Sequence, residues 1–152
     1  MLLDHIKDDL KIAMKAKNSL VISTLRMVTS AIKNIEINNR SSNNSNSVDE
    51  AEIIQLLSKM IKQRKESADI YSNSDRRDLE KKENDEIIII QKYMPKQIDE
   101  NEFGSIIDEA MKETNSSEIR HMGKVMSFLK ENYSGQMDFG KVSAMLKGKL
   151  KN

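Results

Sequence analysis

The sequence predicts an all-α protein, an N-terminal helical hairpin or bundle followed by a small C-terminal three-helix domain. Three observations carry that prediction. The 152 residues include only 5 Gly and 1 Pro, too few for an all-β chain, which turns about every 8 to 12 residues. Apolar residues recur at steps of three and four, the spacing of one helix face. With 38% hydrophobic and 32% charged residues and a mean hydropathy of -0.62, the chain has material for a core beneath a wet exterior, and its length suits one ordinary domain or two small ones.

Leu2, Leu3, Ile6, Leu10, Ala13 and Met14 form one apolar stripe over residues 2 to 16, with Lys7, Asp8, Lys11 and Lys15 facing water. Lys17-Asn18 breaks the pattern, and Ser19 is placed to cap a second helix whose seam is Val21, Leu25, Val28, Ile32 and Ile35. Asn38 to Asn46 has nothing apolar to bury and a composition that favours side-chain hydrogen bonds, so a mobile loop is expected there. Ser47 and Glu50 read as a capping box that opens a third helix through Ile53, Leu57, Ile61, Ala68 and Tyr71. Ser72-Asn73-Ser74 stops it, and Asp75 is expected to cap a fourth. Ile87 to Ile90 would suit a strand by propensity, but they continue a helical phase from Leu79 with no turn residue to isolate them, so a helix buried on most sides is expected.

Pro95 lacks an amide proton and pushes Met94 out of the α region, which ends the fourth helix. The domain boundary is expected here, giving residues 1–95 and 96–152, with a hinge around Lys96-Gln97. Asp99 then caps a fifth helix with acids in its first turn and Phe103, Ile106, Ile107, Ala110 and Met111 on its apolar face. A link at Thr114 to Ser117 leads to a sixth helix near Arg120 to Glu131, a turn at Gly135, and a seventh helix capped by Asp138 that carries Phe139, Val142, Met145, Leu146 and Leu150.

Several chemistries are excluded or left without support. Zero Cys removes disulfides, thiolate zinc sites and cysteine nucleophiles, and fits a reducing compartment. His5 and His121 are read as having no ligating partner one turn away, so neither a metal nor a cofactor is expected. Ser-x-x-Lys occurs at Ser30 to Lys33 and at Ser127 to Lys130, without the other motifs of a penicillin-recognising enzyme. No glycine-rich phosphate cradle is present. No apolar stretch approaches the roughly 18 residues of a membrane span. The N-terminus lacks a basic region followed by an apolar one, so a cytoplasmic location is expected.

Arg26 lies beside the Leu25 and Val28 seam, and Arg64 takes a seam phase between Ile61 and Ala68. Partial burial is expected for both guanidinium groups. An interhelical ion pair with Glu66, Glu83 or Glu86 is preferred over a ligand role. Methionines 122, 126, 137 and 145 offer an adaptable binding face, though core filling is the commoner use. The formal net charge of +1 is uneven, being -6 over residues 99–119 and +5 over residues 120–152, a distribution that bears on partners rather than on fold.

Four strings in order, Leu25-Arg26-Met27-Val28, Lys62-Gln63-Arg64-Lys65-Glu66-Ser67, Tyr93-Met94-Pro95 with Gln97, and Met122-Gly123-Lys124-Val125-Met126, give the chain a resemblance to the YqeY-like family of small helical proteins. The resemblance spans nearly the whole chain and extends to the C-terminal tail of the B subunit of the glutamine-dependent aspartyl/glutamyl-tRNA amidotransferase, a module associated with tRNA. It implies an N-terminal helical domain joined to a three-helix domain. It carries no catalytic apparatus, since the B subunit's kinase-like domain has no counterpart here. The chain also departs from its relatives at Lys130-Glu131-Asn132-Tyr133-Ser134-Gly135, where they tend to be richer in lysine.

The resemblance and the basic tail together suggest a noncatalytic module that binds tRNA or a tRNA-amidotransferase complex. Lys124, Lys130, Lys141, Lys147 and Lys149 are the expected phosphate contacts. Gly123 has two open readings, close approach of a ligand to the backbone or close packing of helices. The alternative function is a protein-interaction adaptor that uses the methionine-rich surface and binds no nucleic acid.

Overall fold

The computed structural model describes residues 1–43 and 47–152 and is all-α among them, with seven α-helices. The chain divides into two compact units, Met1–Met94 and Pro95–Asn152.

In the first unit α1 (Leu2–Ala16) packs along α2 (Ser19–Asn43), and α3 (Glu50–Asn73) forms a hairpin with α4 (Arg77–Gln91). The seams read from the sequence close on one core, in which Ile6, Leu25, Val28, Ile32, Ile53, Leu57 and Ile90 are almost fully buried. The four isoleucines are helical. Ile87 and Ile90 face the core, Ile89 is partly buried, and Ile88 is 67% exposed, so α4 buries one side rather than most sides.

Several boundaries differ from expectation, each for a local reason. The expected loop from Asn38 is helical through Asn43, and Asn44 to Asn46 lie outside the described residues. Ser41 and Ser42 donate back to the carbonyls of Ile37 and Asn38, bonds that a helix accommodates. Asn39 donates to the Ser47 carbonyl and to Glu52. The cap of α2 is Asn18 rather than Ser19, its side chain accepting from the Val21 amide at 3.3 Å. The capping box of α3 is Asp49 with Glu52, not Ser47 with Glu50. The Glu52 amide donates to Asp49 Oδ1 at 2.8 Å and the Asp49 amide to Glu52 Oε2 at 3.3 Å. Val48 explains the shift, because it is buried in the same core as Ile53, the N′ and N4 pair of a hydrophobic staple. Asp75 does not cap α4. It sits at φ 56°, in the left-handed region that ends the α3 turn.

In the second unit a 3-10 turn at Glu100–Glu102, capped by Asp99, leads into α5 (Phe103–Glu113). A second 3-10 turn at Ile119–His121 precedes α6 (Met122–Asn132), and Asp138 caps α7 (Phe139–Lys149) by accepting from the Gly140 and Lys141 amides. The core is Phe103, Ile107, Val125, Leu129, Val142 and Leu146, with Met137 and Leu150 beside them. Gly135 turns the chain at φ 73°, a conformation that glycine adopts without strain. The expected hinge residues are fixed to that turn: Gln97 Nε2 donates to the Gly135 carbonyl at 2.7 Å and the Ile98 amide to the Gln136 carbonyl at 2.9 Å. Lys151 pairs with the link before α6, donating to the Ser117 carbonyl at 2.9 Å and accepting from the Ile119 amide at 2.7 Å.

Candidate functional site

The second unit holds the basic segment. Over residues 95–152 its formal charge is zero, because Lys96 and the +5 tail balance the -6 stretch. Two of the five expected phosphate contacts take part in that balance. Lys141 Nζ is bound to Glu100 Oε1, which raises the lysine's pKa, and Lys149 Nζ donates to Asp108 Oδ1 at 2.9 Å. The acids of α5 and its leading turn therefore reach α7. Lys124, Lys130 and Lys147 are exposed and have no acidic partner among the described residues.

Helical geometry sorts the residues of α6. Met122, Val125, Met126 and Leu129 form its core stripe. At 100° per residue, Lys124 and Lys130 stand roughly 120° apart on the outer side, with Gly123 and Ser127 between them. All four are exposed. A Cβ added to Gly123 would meet nothing within 4 Å, so helix packing within this chain does not require the glycine. Gly123 and Ser127 are thus small exposed residues flanked by two ammonium groups, with space above the glycine backbone. Glu131 shares this outer side and is its one opposing charge. Of the tail methionines, Met137 is buried and Met122 and Met126 pack against the core, while Met145 is 39% exposed.

The first unit separates the two arginines. Arg26 is exposed, in contrast to the burial expected, because its position falls on the solvent side of the seam formed by its neighbours Leu25 and Val28. Arg64 keeps 12% of its side chain exposed and pairs with Glu86, whose own side chain keeps 6%, at 2.9 Å between Nε and Oε2. Arg64 also donates to the Met60 carbonyl at 3.2 Å and lies 3.6 Å from the Met27 sulfur. This pair is the floor of an open cleft of 320 Å³ lined by Met27 of α2, Gln63 and Ser67 of α3, and Lys82 and Glu83 of α4. Two of the four strings that carry the family resemblance thus meet in one place. Gln63 and Ser67 stood in the sequence only as members of the second string, and Lys82 not at all, since polar residues on a charged helix give no signal until a second helix is set against them.

A second polar cluster was also missed. Tyr93 Oη donates to Asp9 Oδ2 at 2.5 Å, His5 Nε2 lies 3.4 Å from the same oxygen, and Lys92 Nζ lies 3.3 Å from it. The Tyr93 hydrogen bond, helped by Lys92, holds the Asp9 carboxyl below the usual carboxylate range against the effect of burial. Burial and the Asp9 charge push the Tyr93 phenol up. His5 therefore does have a partner one turn away, a correction to the sequence reading. His121 Nδ1 accepts from the Ser117 and Glu118 amides, which makes it part of the turn before α6. Among the described residues no group of three or more His, Asp or Glu is placed to hold a metal ion, and no helix is long and apolar enough to cross a membrane.

The chain is 39% identical over 92 residues to the altered inheritance of mitochondria protein 41 of Eremothecium gossypii, a match covering 60% of this chain and 48% of that one. The protein of the same name from Clavispora lusitaniae is 41% identical over 93 residues, covering 61% and 51%. That from Saccharomyces cerevisiae is 42% identical over 89 residues, covering 59% and 46%. The chain spans about half the length of the curated relatives it matches. These relatives are named as mitochondrial proteins, which overturns the expected cytoplasmic location. The expectation failed because it tested only for a secretory leader, and address is not a property of packed helices. The sequence pattern of the Yqey-like protein family matches residues 3–150, and the chain belongs to that family.

Proposed function

We propose that this helical module binds tRNA, or a complex that processes tRNA, through the outer side of α6, and that it does so without catalysis. The observation that carries this reading is the strip of Gly123 and Ser127 between Lys124 and Lys130, two lysines without acidic partners among the described residues beside a glycine that the fold does not need. Lys147 of α7 is the next candidate. Lys141 and Lys149 are held by Glu100 and Asp108 and contribute only if those pairs open. The resemblance to the amidotransferase B-subunit tail supports tRNA as the nucleic acid. The adaptor reading loses support, since three of the four tail methionines fill or flank the core. Residues 1–95 and 96–152 are proposed as separate functional domains, the first holding the cleft and the second the strip.

Capture of partners on the immobilised full chain tests the reading. Small RNA of tRNA length should be retained from cell extract and lost after ribonuclease treatment. Retention of the same proteins with and without ribonuclease, and of no RNA, would favour the adaptor instead. The names of the relatives make mitochondria the compartment in which to look for this partner.

A further inference from the structure

The cleft over Arg64 and Glu86 has unused hydrogen-bonding capacity. A guanidinium has five N–H donors, and Arg64 commits three of them, to Glu86, to the Met60 carbonyl and against the Met27 sulfur. Glu86, which lines the cleft, accepts through Oε2, and because no buried side-chain oxygen lacks a partner among the described residues, its other oxygen is within reach of solvent. A buried ion pair of this kind often stabilises no better than apolar residues of similar volume, which leaves room for a second role beside the joining of α3 to α4.

The rim adds a pair of opposite charges. Lys82 and Glu83 both line the cleft, and neither has an ion-pair partner among the described residues. A ligand with one sign of charge would satisfy one of them and be repelled by the other. A ligand with both signs a few ångströms apart satisfies both and leaves the neutral floor undisturbed. We propose that the cleft binds a small zwitterion of the free α-amino-acid class. Its carboxylate is held by Lys82 and the spare Arg64 N–H groups, and its ammonium by Glu83, while Gln63 and Ser67 complete the polar contacts. The 320 Å³ volume lies at the small end of ligand sites, about 300 to 1,000 Å³.

Chemical-shift titration of the full chain tests this, with the standard amino acids added singly and with acetate and methylammonium as controls that carry one charge each. At least one amino acid should saturate with a Kd on the order of 1 mM, moving the amides of Gln63, Arg64, Ser67, Lys82 and Glu83. The two controls should bind at least tenfold more weakly. Lys82→Gln and Glu83→Gln should each weaken binding roughly fivefold, as expected for an exposed charge contact, with the melting temperature unchanged. The proposal is overturned if no amino acid saturates, if either control binds equally well, or if both variants bind like the parent. None of these outcomes touches the tRNA reading, which rests on the other unit.

Discussion

At the scale of single residues, two side-chain pairs make separable predictions. Arg64→Met leaves Glu86, with 6% of its side chain exposed, without its cation, and should lower stability by about 3 to 5 kcal/mol in urea denaturation. Pairing Arg64→Met with Glu86→Leu should restore most of that loss, since the cost lies in the uncompensated charge. Tyr93→Phe removes the 2.5 Å bond to Asp9 and should cost about 1.5 to 3 kcal/mol near neutral pH, the range for a hydrogen bond to a charged group. The sign of the pH dependence follows from the direction of each shift. Asp9 is depressed, so its contribution is present above the unfolded carboxylate pKa and fades as pH falls through the folded value. Tyr93 is raised, so its contribution is full below pH 10.0, its ordinary value, and fades as pH rises through the folded one. Urea midpoints measured across pH should flatten at both ends in the Tyr93→Phe variant. A variant whose acid limb matches the parent would show that the phenol does not hold Asp9.

At the scale of elements, the start of α3 is the clearest test. Asp49→Ala should cost about 1 kcal/mol, the usual worth of a lost cap, whereas Glu50→Ala should stay within about 0.5 kcal/mol, as for an ordinary surface change. The reverse order would restore the box read at Ser47 and Glu50. This case also shows what was legible in the sequence. All seven helices were legible, six of them from apolar spacing, which depends only on neighbours along the chain, and the sixth from the link and turn that flank it. The cap at Asp138 was legible for the same reason, whereas Asp99, expected to cap the fifth helix, caps the 3-10 turn that leads into it. The box at Asp49 was not, because burial of Val48 against a distant core chose between two local candidates. Lys141 and Lys149 read as free phosphate contacts for a similar reason: their acids, Glu100 and Asp108, lie 41 residues away along the chain. Arg64 with Glu86 was legible as a choice among three acids, and packing of α3 on α4 made the choice.

At the scale of the whole molecule, net charge is a poor guide to function, since the basic tail and Lys96 are cancelled within one unit by the acidic stretch over residues 99–119. What counts is which lysines remain unpaired, and these predict a small contact set. Glu131→Gln should strengthen tRNA binding modestly by removing the opposing charge beside Lys130. The central claim is tested most directly by the salt dependence of tRNA binding to the parent and to a Lys124→Glu, Lys130→Glu variant. The parent should lose affinity with a log-log slope of about -0.7 to -0.9 per phosphate contact. The variant should bind more weakly to every tRNA and with a slope flatter by roughly two contacts, because phosphate contacts position without reading sequence. A variant that matches the parent in affinity and slope, or a parent that binds no tRNA at low salt, would contradict the account.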